Sequence, residues 1–221
     1  MVTLITGVLL MAATGAPSEI HFPTQDGGVV YADVYGTGSR GVVLAHGARF
    51  DKASWKKEAA ELADAGFRVV AIDFRGYGKS HDGPNAKPGM DDMYMDVLAA
   101  VRYLRENGAA SVAVVGGSMG GGASANAVVH GKAGEIERLV LLAPAPIQEP
   151  ERITGPKLVI TSADDPITPK VREQYAKAPE PKQLDVLDGS AHAQFIFTTP
   201  NREHVMAEIL RFLGGRSTAA R

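Results

Sequence analysis

Val112-Ala113-Val114-Val115-Gly116-Gly117-Ser118-Met119-Gly120-Gly121-Gly122 decides how the rest of this chain is read. An apolar, β-branched run stops abruptly at Gly-x-Ser-x-Gly, and a helical segment of small residues follows. Strand, sharp turn and helix in that order make the sequence form of a nucleophile elbow, which holds a serine at the tip of the turn. The spacing has a steric reason. So sharp a turn strains the backbone of Ser118 and brings the residues two before and two after it close together. Glycine is what fits at Gly116 and Gly120. The plainer alternative is a glycine-rich turn with no chemistry attached, and the remaining residues must choose between the two.

A serine nucleophile needs a base to take its proton and a carboxylate to orient that base. Candidates for both lie downstream, each just past an expected strand. Lys157 to Thr161 reads as a buried strand and runs into Ser162-Ala163-Asp164-Asp165-Pro166-Ile167-Thr168-Pro169. Asp164 and Asp165 are both available there as the acid, and either could instead cap a helix beginning near Thr168. Gln183 to Leu187 reads as the next strand, followed by Asp188-Gly189-Ser190-Ala191-His192. The order along the chain is therefore Ser, Asp, His. Of the other histidines, His21 falls in the first expected strand, His46 in an early loop and His81 in a turn. His130 ends a helix and His204 begins one. Only His192 lies in a loop between the last expected strand and a closing helix.

With these residues in view, the chain resembles the α/β-hydrolase superfamily over about residues 19–214, and looks like its small bacterial, esterase-like serine hydrolases without a cap domain. Val42-Val43-Leu44-Ala45-His46-Gly47-Ala48 is similar to the family's strand and His-Gly oxyanion loop. Asp73-Phe74-Arg75-Gly76-Tyr77-Gly78-Lys79-Ser80 is similar to its Asp-x-Arg-Gly-x-Gly-x-Ser turn. The Ser162–Pro169 segment looks like its Gly-x-x-Asp-x-x-x-Pro acid loop, with Ser162 in place of the usual glycine. Counted back from Pro169, that register makes Asp165 the acid. The resemblance also implies an oxyanion hole formed by the main-chain N–H groups of Met119 and Ala48. Arg49 follows directly, as a solvated surface side chain or as a contact for an anionic substrate group.

Composition sets the outer limits. The 221 residues suit one domain with a full core. A formal net charge of −2 without a basic block gives no electrostatic support for binding nucleic acid or an anionic membrane. Cysteine is absent, so disulfides, thiolate catalysis and cysteine metal sites are excluded. No metal-ligand pair appears at helical spacing, and no Gly-x-Gly-x-x-Gly follows the early strands, so neither a metal nor a nucleotide cofactor is implied. Residues 1–17 open with an apolar run, Val2 to Ala13, followed by small residues. The run is too short to span a bilayer and looks like a signal peptide, although no Lys or Arg precedes it. Export to the periplasm or medium, with no stable membrane insertion of the mature chain, is the expectation. If residues 1–16 are not a signal, the protein is cytoplasmic.

The body, residues 18–214, starts with strands at Glu19–Thr24 and Val29–Tyr35 around the Asp26-Gly27-Gly28 turn. Strands then alternate with helices: strands at Gly41–His46, Phe67–Phe74 and Leu139–Leu142, helices at Ser54–Ala65, about Met90–Glu106 and Arg202–Leu213. That is the pattern of an α/β fold whose mostly parallel central sheet, of about eight strands, has helices on both faces. Residues 215–221 read as a flexible tail. The proline-rich stretch between Leu142 and Leu158 has the length of a loop, so no cap domain is expected. The expectation is a serine hydrolase cleaving small soluble esters through a Ser-His-Asp triad and an acyl-enzyme. Peptide or amide cleavage and acyl transfer are open to the same groups, as is a binding protein that kept the fold without activity. A haloalkane-type reaction is disfavoured by the serine at the elbow. The residues carry no signal of oligomeric state.

Overall fold

The computed structural model describes residues 16–84, 86 and 91–214. The expected tail and all but the last two residues of the expected signal segment lie outside the described residues. Eight strands form one sheet: β1 (Ser18–Pro23), β2 (Val29–Tyr35), β3 (Arg40–Ala45), β4 (Phe67–Ile72), β5 (Ser111–Gly117), β6 (Arg138–Leu142), β7 (Lys157–Ser162) and β8 (Lys182–Leu187). Their spatial order is β1-β2-β4-β3-β5-β6-β7-β8. β1 and β2 form an antiparallel hairpin, and β2 pairs antiparallel with β4. All pairings from β4 to β8 are parallel. The expected α/β sheet is therefore present, with its antiparallel part confined to one edge.

Central strands such as Val42-Val43-Leu44 and Val112-Ala113-Val114-Val115 are apolar at every position because both faces of the sheet are covered. The two-residue period of a strand then divides them. Val43 and Val114 face one layer with α2 (Tyr94–Glu106), α3 (Met119–His130) and α4 (Thr168–Lys177). Val42, Leu44 and Val115 face the other with α1 (Lys56–Asp64) and α5 (Arg202–Gly214). In that second layer Trp55, Leu62, Val205 and Ile209 are almost wholly buried. Each such aliphatic side chain contributes about 1.5–3 kcal/mol on leaving water.

Three boundaries move by more than one residue from their sequence-based positions, the first two for a hydrogen-bonding reason. The strand expected through Phe74 ends at Ile72, because the Asp73 N–H turns to Tyr31 O and the Phe74 N–H to His46 Nε2. The helix expected from Ser54 begins as a 3₁₀ turn, Lys52–Trp55, where Asp51 accepts from the Ser54 N–H at 3.2 Å; α1 follows. The helix expected from about Met90 starts at Tyr94, and Met90 itself lies outside the described residues. Between β6 and β7, residues 143–156 carry only a 3₁₀ turn at Pro150–Arg152, so no cap stands there. Since β3 to β8 are parallel, the loops after β3, β5, β7 and β8 emerge along one edge, where α/β sheets bind their ligands.

Candidate active site

Ser118 stands between β5 and α3 with φ 49° and ψ −114°, a conformation that L-residues adopt at a cost of about 1–3 kcal/mol. Surrounding bonds hold it there. Its N–H donates to Leu142 O at 2.9 Å, and its carbonyl accepts from the N–H groups of Gly122 and Ala145 at 3.0 and 2.8 Å. The two glycines are required by different neighbours. A Cβ on Gly116 would stand 2.4 Å from Gly120 O, whereas a Cβ on Gly120 would stand 2.3 Å from Ala45 O on β3. The glycine spacing therefore closes the turn and also lets α3 pack onto the neighbouring strand.

His192 Nε2 lies 2.8 Å from Ser118 Oγ, and its Nδ1 lies 2.7 Å from Asp165 Oδ2. Asp165 is 4 % exposed, while its neighbour Asp164 is exposed and donates its N–H to Gly189 O. Asp165 has a partner for each of its two readings. Oδ1 accepts from the Ile167 N–H at the start of α4, at 3.2 Å, and Oδ2 faces the imidazole. The serine that replaces the family's glycine has work of its own: Ser162 Oγ donates to Ala191 O at 2.7 Å and so ties the acid loop to the residue before His192. With Asp165 ionised, Nδ1 carries the ring proton and Nε2 is left to accept from Ser118.

The His46-Gly47-Ala48 loop is built with equal care. His46 is fully buried, its Nδ1 donates to Gly47 O at 2.9 Å, and its Nε2 accepts from the Phe74 N–H at 3.2 Å. Burial lowers its pKa, which suits a neutral ring with one donor and one acceptor. Gly47 O also accepts from the Phe50 N–H at 3.0 Å. In a trans peptide the next N–H points the opposite way, so anchoring that oxygen aims the Ala48 N–H. Tyr77 fixes the following carbonyl by donating its hydroxyl to Ala48 O at 3.0 Å. The Ala48 N–H itself donates to no group among the described residues. Met119 opens α3, so its N–H belongs to the first turn, which has no acceptor within the helix. Arg49 is exposed, with its guanidinium 5.9 Å from the Phe195 ring centroid, and forms no ion pair among the described residues.

Sequence reasoning placed His46 in the oxyanion loop without giving it a role, quoted Tyr77 only within a motif, and missed Gln194 altogether. His46 and Tyr77 at least lie inside the two family-like motifs. Gln194, buried and hydrogen-bonded to the Gly47 N–H, carries no local signal at all. Among the described residues no group of three or more acidic or histidine side chains is arranged to hold a metal ion.

Residues 38–150 match the model of the family described as serine aminopeptidase S33. A non-heme haloperoxidase of Rhodococcus erythropolis is 32 % identical over 122 residues, which are 55 % of this chain and 43 % of that protein. The match thus spans less than half the length of that relative. Among solved structures, a hydrolase described as CIB-like from Thermoplasma acidophilum superposes with a TM-score of 0.74 at 22 % identity, covering 90 % of this chain and 98 % of that one. An esterase from Pyrococcus furiosus gives 0.74 at 19 % identity, covering 90 % and 91 %. At such identities the superpositions speak for the fold alone.

Proposed function

The chain belongs to the α/β-hydrolase superfamily, within the family described as serine aminopeptidase S33, and from that premise we propose that it is a serine hydrolase cleaving small soluble carboxylic esters with Ser118, His192 and Asp165. The observation that carries this reading is the pair of hydrogen bonds through one imidazole, 2.8 Å to Ser118 and 2.7 Å to Asp165.

In this reading Ser118 Oγ attacks the ester carbonyl carbon as its proton passes to His192 Nε2, while Asp165 holds the Nδ1–H. The N–H groups of Ala48 and Met119 meet the charge on the carbonyl oxygen; losing one such donor costs acyl-transfer enzymes roughly 2.7–4 kcal/mol. Collapse of the tetrahedral intermediate breaks the C–O bond, and the departing alcohol takes the proton from His192. Water then gives a proton to His192 and attacks the acyl-enzyme, and the second collapse returns that proton to Ser118. Arg49, one residue past Ala48, is the candidate contact for an anionic substrate group.

Amide cleavage is the second reading, because the matched family is described as an aminopeptidase and the same groups serve an amide. A fluorophosphonate probe, followed by peptide mass mapping, tests the nucleophile. Label on Ser118, with turnover of p-nitrophenyl acetate well above that of aminoacyl p-nitroanilides, is expected. No label and no ester turnover would overturn the proposal.

A further inference from the structure

We propose that Gln194 is the positioning residue of the oxyanion loop: its side-chain amide ties the loop bearing His192 to the loop bearing the Ala48 N–H. The inference rests on the ester-hydrolase reading and adds a residue that reading does not require. Gln194 is 5 % exposed. Its Oε1 accepts from the Gly47 N–H at 2.7 Å, and its Nε2 donates to Ser54 Oγ at 2.6 Å. Ser54 Oγ in turn donates to Asp51 O at 2.5 Å, so its lone pairs face the amide. Only one orientation of the amide satisfies this chain. Turned over, it would set its NH₂ against the Gly47 N–H and its oxygen against a hydroxyl whose proton is already committed.

Its place in the chain gives the amide its leverage. Ala193, between His192 and Gln194, is wholly buried at φ 50°, which turns the backbone so that His192 faces Ser118 and Gln194 faces Gly47. Gln194 packs against Gly117, where a Cβ would stand 3.2 Å from Oε1. Gly47 in turn lies against Ser118; a Cβ there would be 3.3 Å from the serine Cβ. The loop thus lies against the nucleophile and carries two consecutive N–H groups, at Gly47 and Ala48. Gln194 occupies the first, at Gly47, and leaves the second, at Ala48, for the oxyanion. Without that acceptor the buried Gly47 N–H is orphaned, and the loop is free to swing it toward the reacting centre in place of Ala48.

The test is Gln194→Met, which keeps the length of the side chain and removes both hydrogen bonds. On p-nitrophenyl acetate kcat should fall roughly 10- to 100-fold, as expected of a displaced oxyanion donor, with KM within about threefold of the parent. Affinity for a trifluoromethyl ketone, which forms a tetrahedral adduct on the serine, should fall by a similar factor. Adding Ser54→Ala to Gln194→Met should cost nothing more, since both lie on one chain of hydrogen bonds. A folded Gln194→Met protein with parental kcat and inhibitor affinity, or a loss confined to KM, would overturn the inference. If Gln194→Met does not fold, Ser54→Ala alone decides: a smaller loss shared by kcat and inhibitor affinity supports it, and parental values overturn it. An unsubstituted protein with neither ester turnover nor Ser118 labelling brings down the ester-hydrolase reading itself, and this inference with it.

Discussion

Asp165 shows how one side chain meets two demands that compete in the sequence. Its oxygens divide the labour, one turned to the Ile167 N–H and the other to His192. Asp164, exposed beside it, does neither. Asp165→Asn should therefore lower kcat/KM by roughly a hundredfold or more relative to Asp164→Asn, because an amide can present its NH₂ to Nδ1 and favour the wrong tautomer. Parallel kinetics of the two variants on p-nitrophenyl acetate check this, and equal losses would remove Asp165 from its proposed role. Asp165 and His192 were legible because each stands in the loop after an expected strand, as Ser118 does, and parallel strands bring such positions to one edge. Gln194 was not legible: its partner Gly47 is 147 residues away, and no local pattern announces a bond that only the completed sheet creates. Tyr77 and His46 sit inside family-like motifs, but only the folded chain brings them to Ala48 O and the Phe74 N–H.

Between elements, the same limit applies to Arg75. It stands in the turn after β4, and sequence alone gave it no partner. In the fold its guanidinium meets Asp96 of α2 at 2.7 Å and Asp26 of the β1–β2 turn at 2.6 Å, with all three side chains nearly buried. Three elements distant in sequence are joined by one cation, beside the turn whose Tyr77 donates to Ala48 O. Breaking such a pair strands a charge in a dry place, which is why its loss typically costs about 3–5 kcal/mol. Burial works to raise the Asp26 pKa, but hydrogen bonds from Arg75 and Thr24 outweigh it and hold the carboxyl at about 2. The folded state then binds that proton less readily than the unfolded chain, whose aspartates titrate near 3.9. Stability from Asp26 is therefore complete above about pH 4 and is lost as pH falls towards 2. Melting temperatures measured from pH 5 to pH 2 should fall less steeply for Asp26→Asn than for the parent, from a lower starting value. Parallel curves would show that Asp26 keeps an ordinary pKa.

Over the whole molecule, the sheet is closed at its first edge by β1, whose pairing with β2 begins at Ser18 opposite Val34. We propose that residues 1–16 are an export signal, and a chain starting at Pro17 retains all eight strands. It should match the full chain in melting temperature and kcat; a fall in either would assign the segment to the fold. Residues 143–156, where a cap would be inserted, hold one short 3₁₀ turn, and Pro144, Pro146 and Pro150 oppose any longer helix. The His192 side chain is accordingly 39 % exposed. A site as exposed as this should bury only part of an acyl chain, so each added CH₂ should yield less than the ~0.8 kcal/mol of full burial. Lid-bearing lipases differ in kind, since their apolar helices must be opened by an oil–water interface before the serine is reached. For this protein kcat/KM should favour short, water-soluble p-nitrophenyl esters and gain little beyond about eight acyl carbons. Rates should also saturate simply, with no jump at the solubility limit of the substrate. A series from acetate to palmitate reads both at once. A preference for palmitate with interfacial activation would mean that a deep acyl tunnel or a lid forms over Ser118.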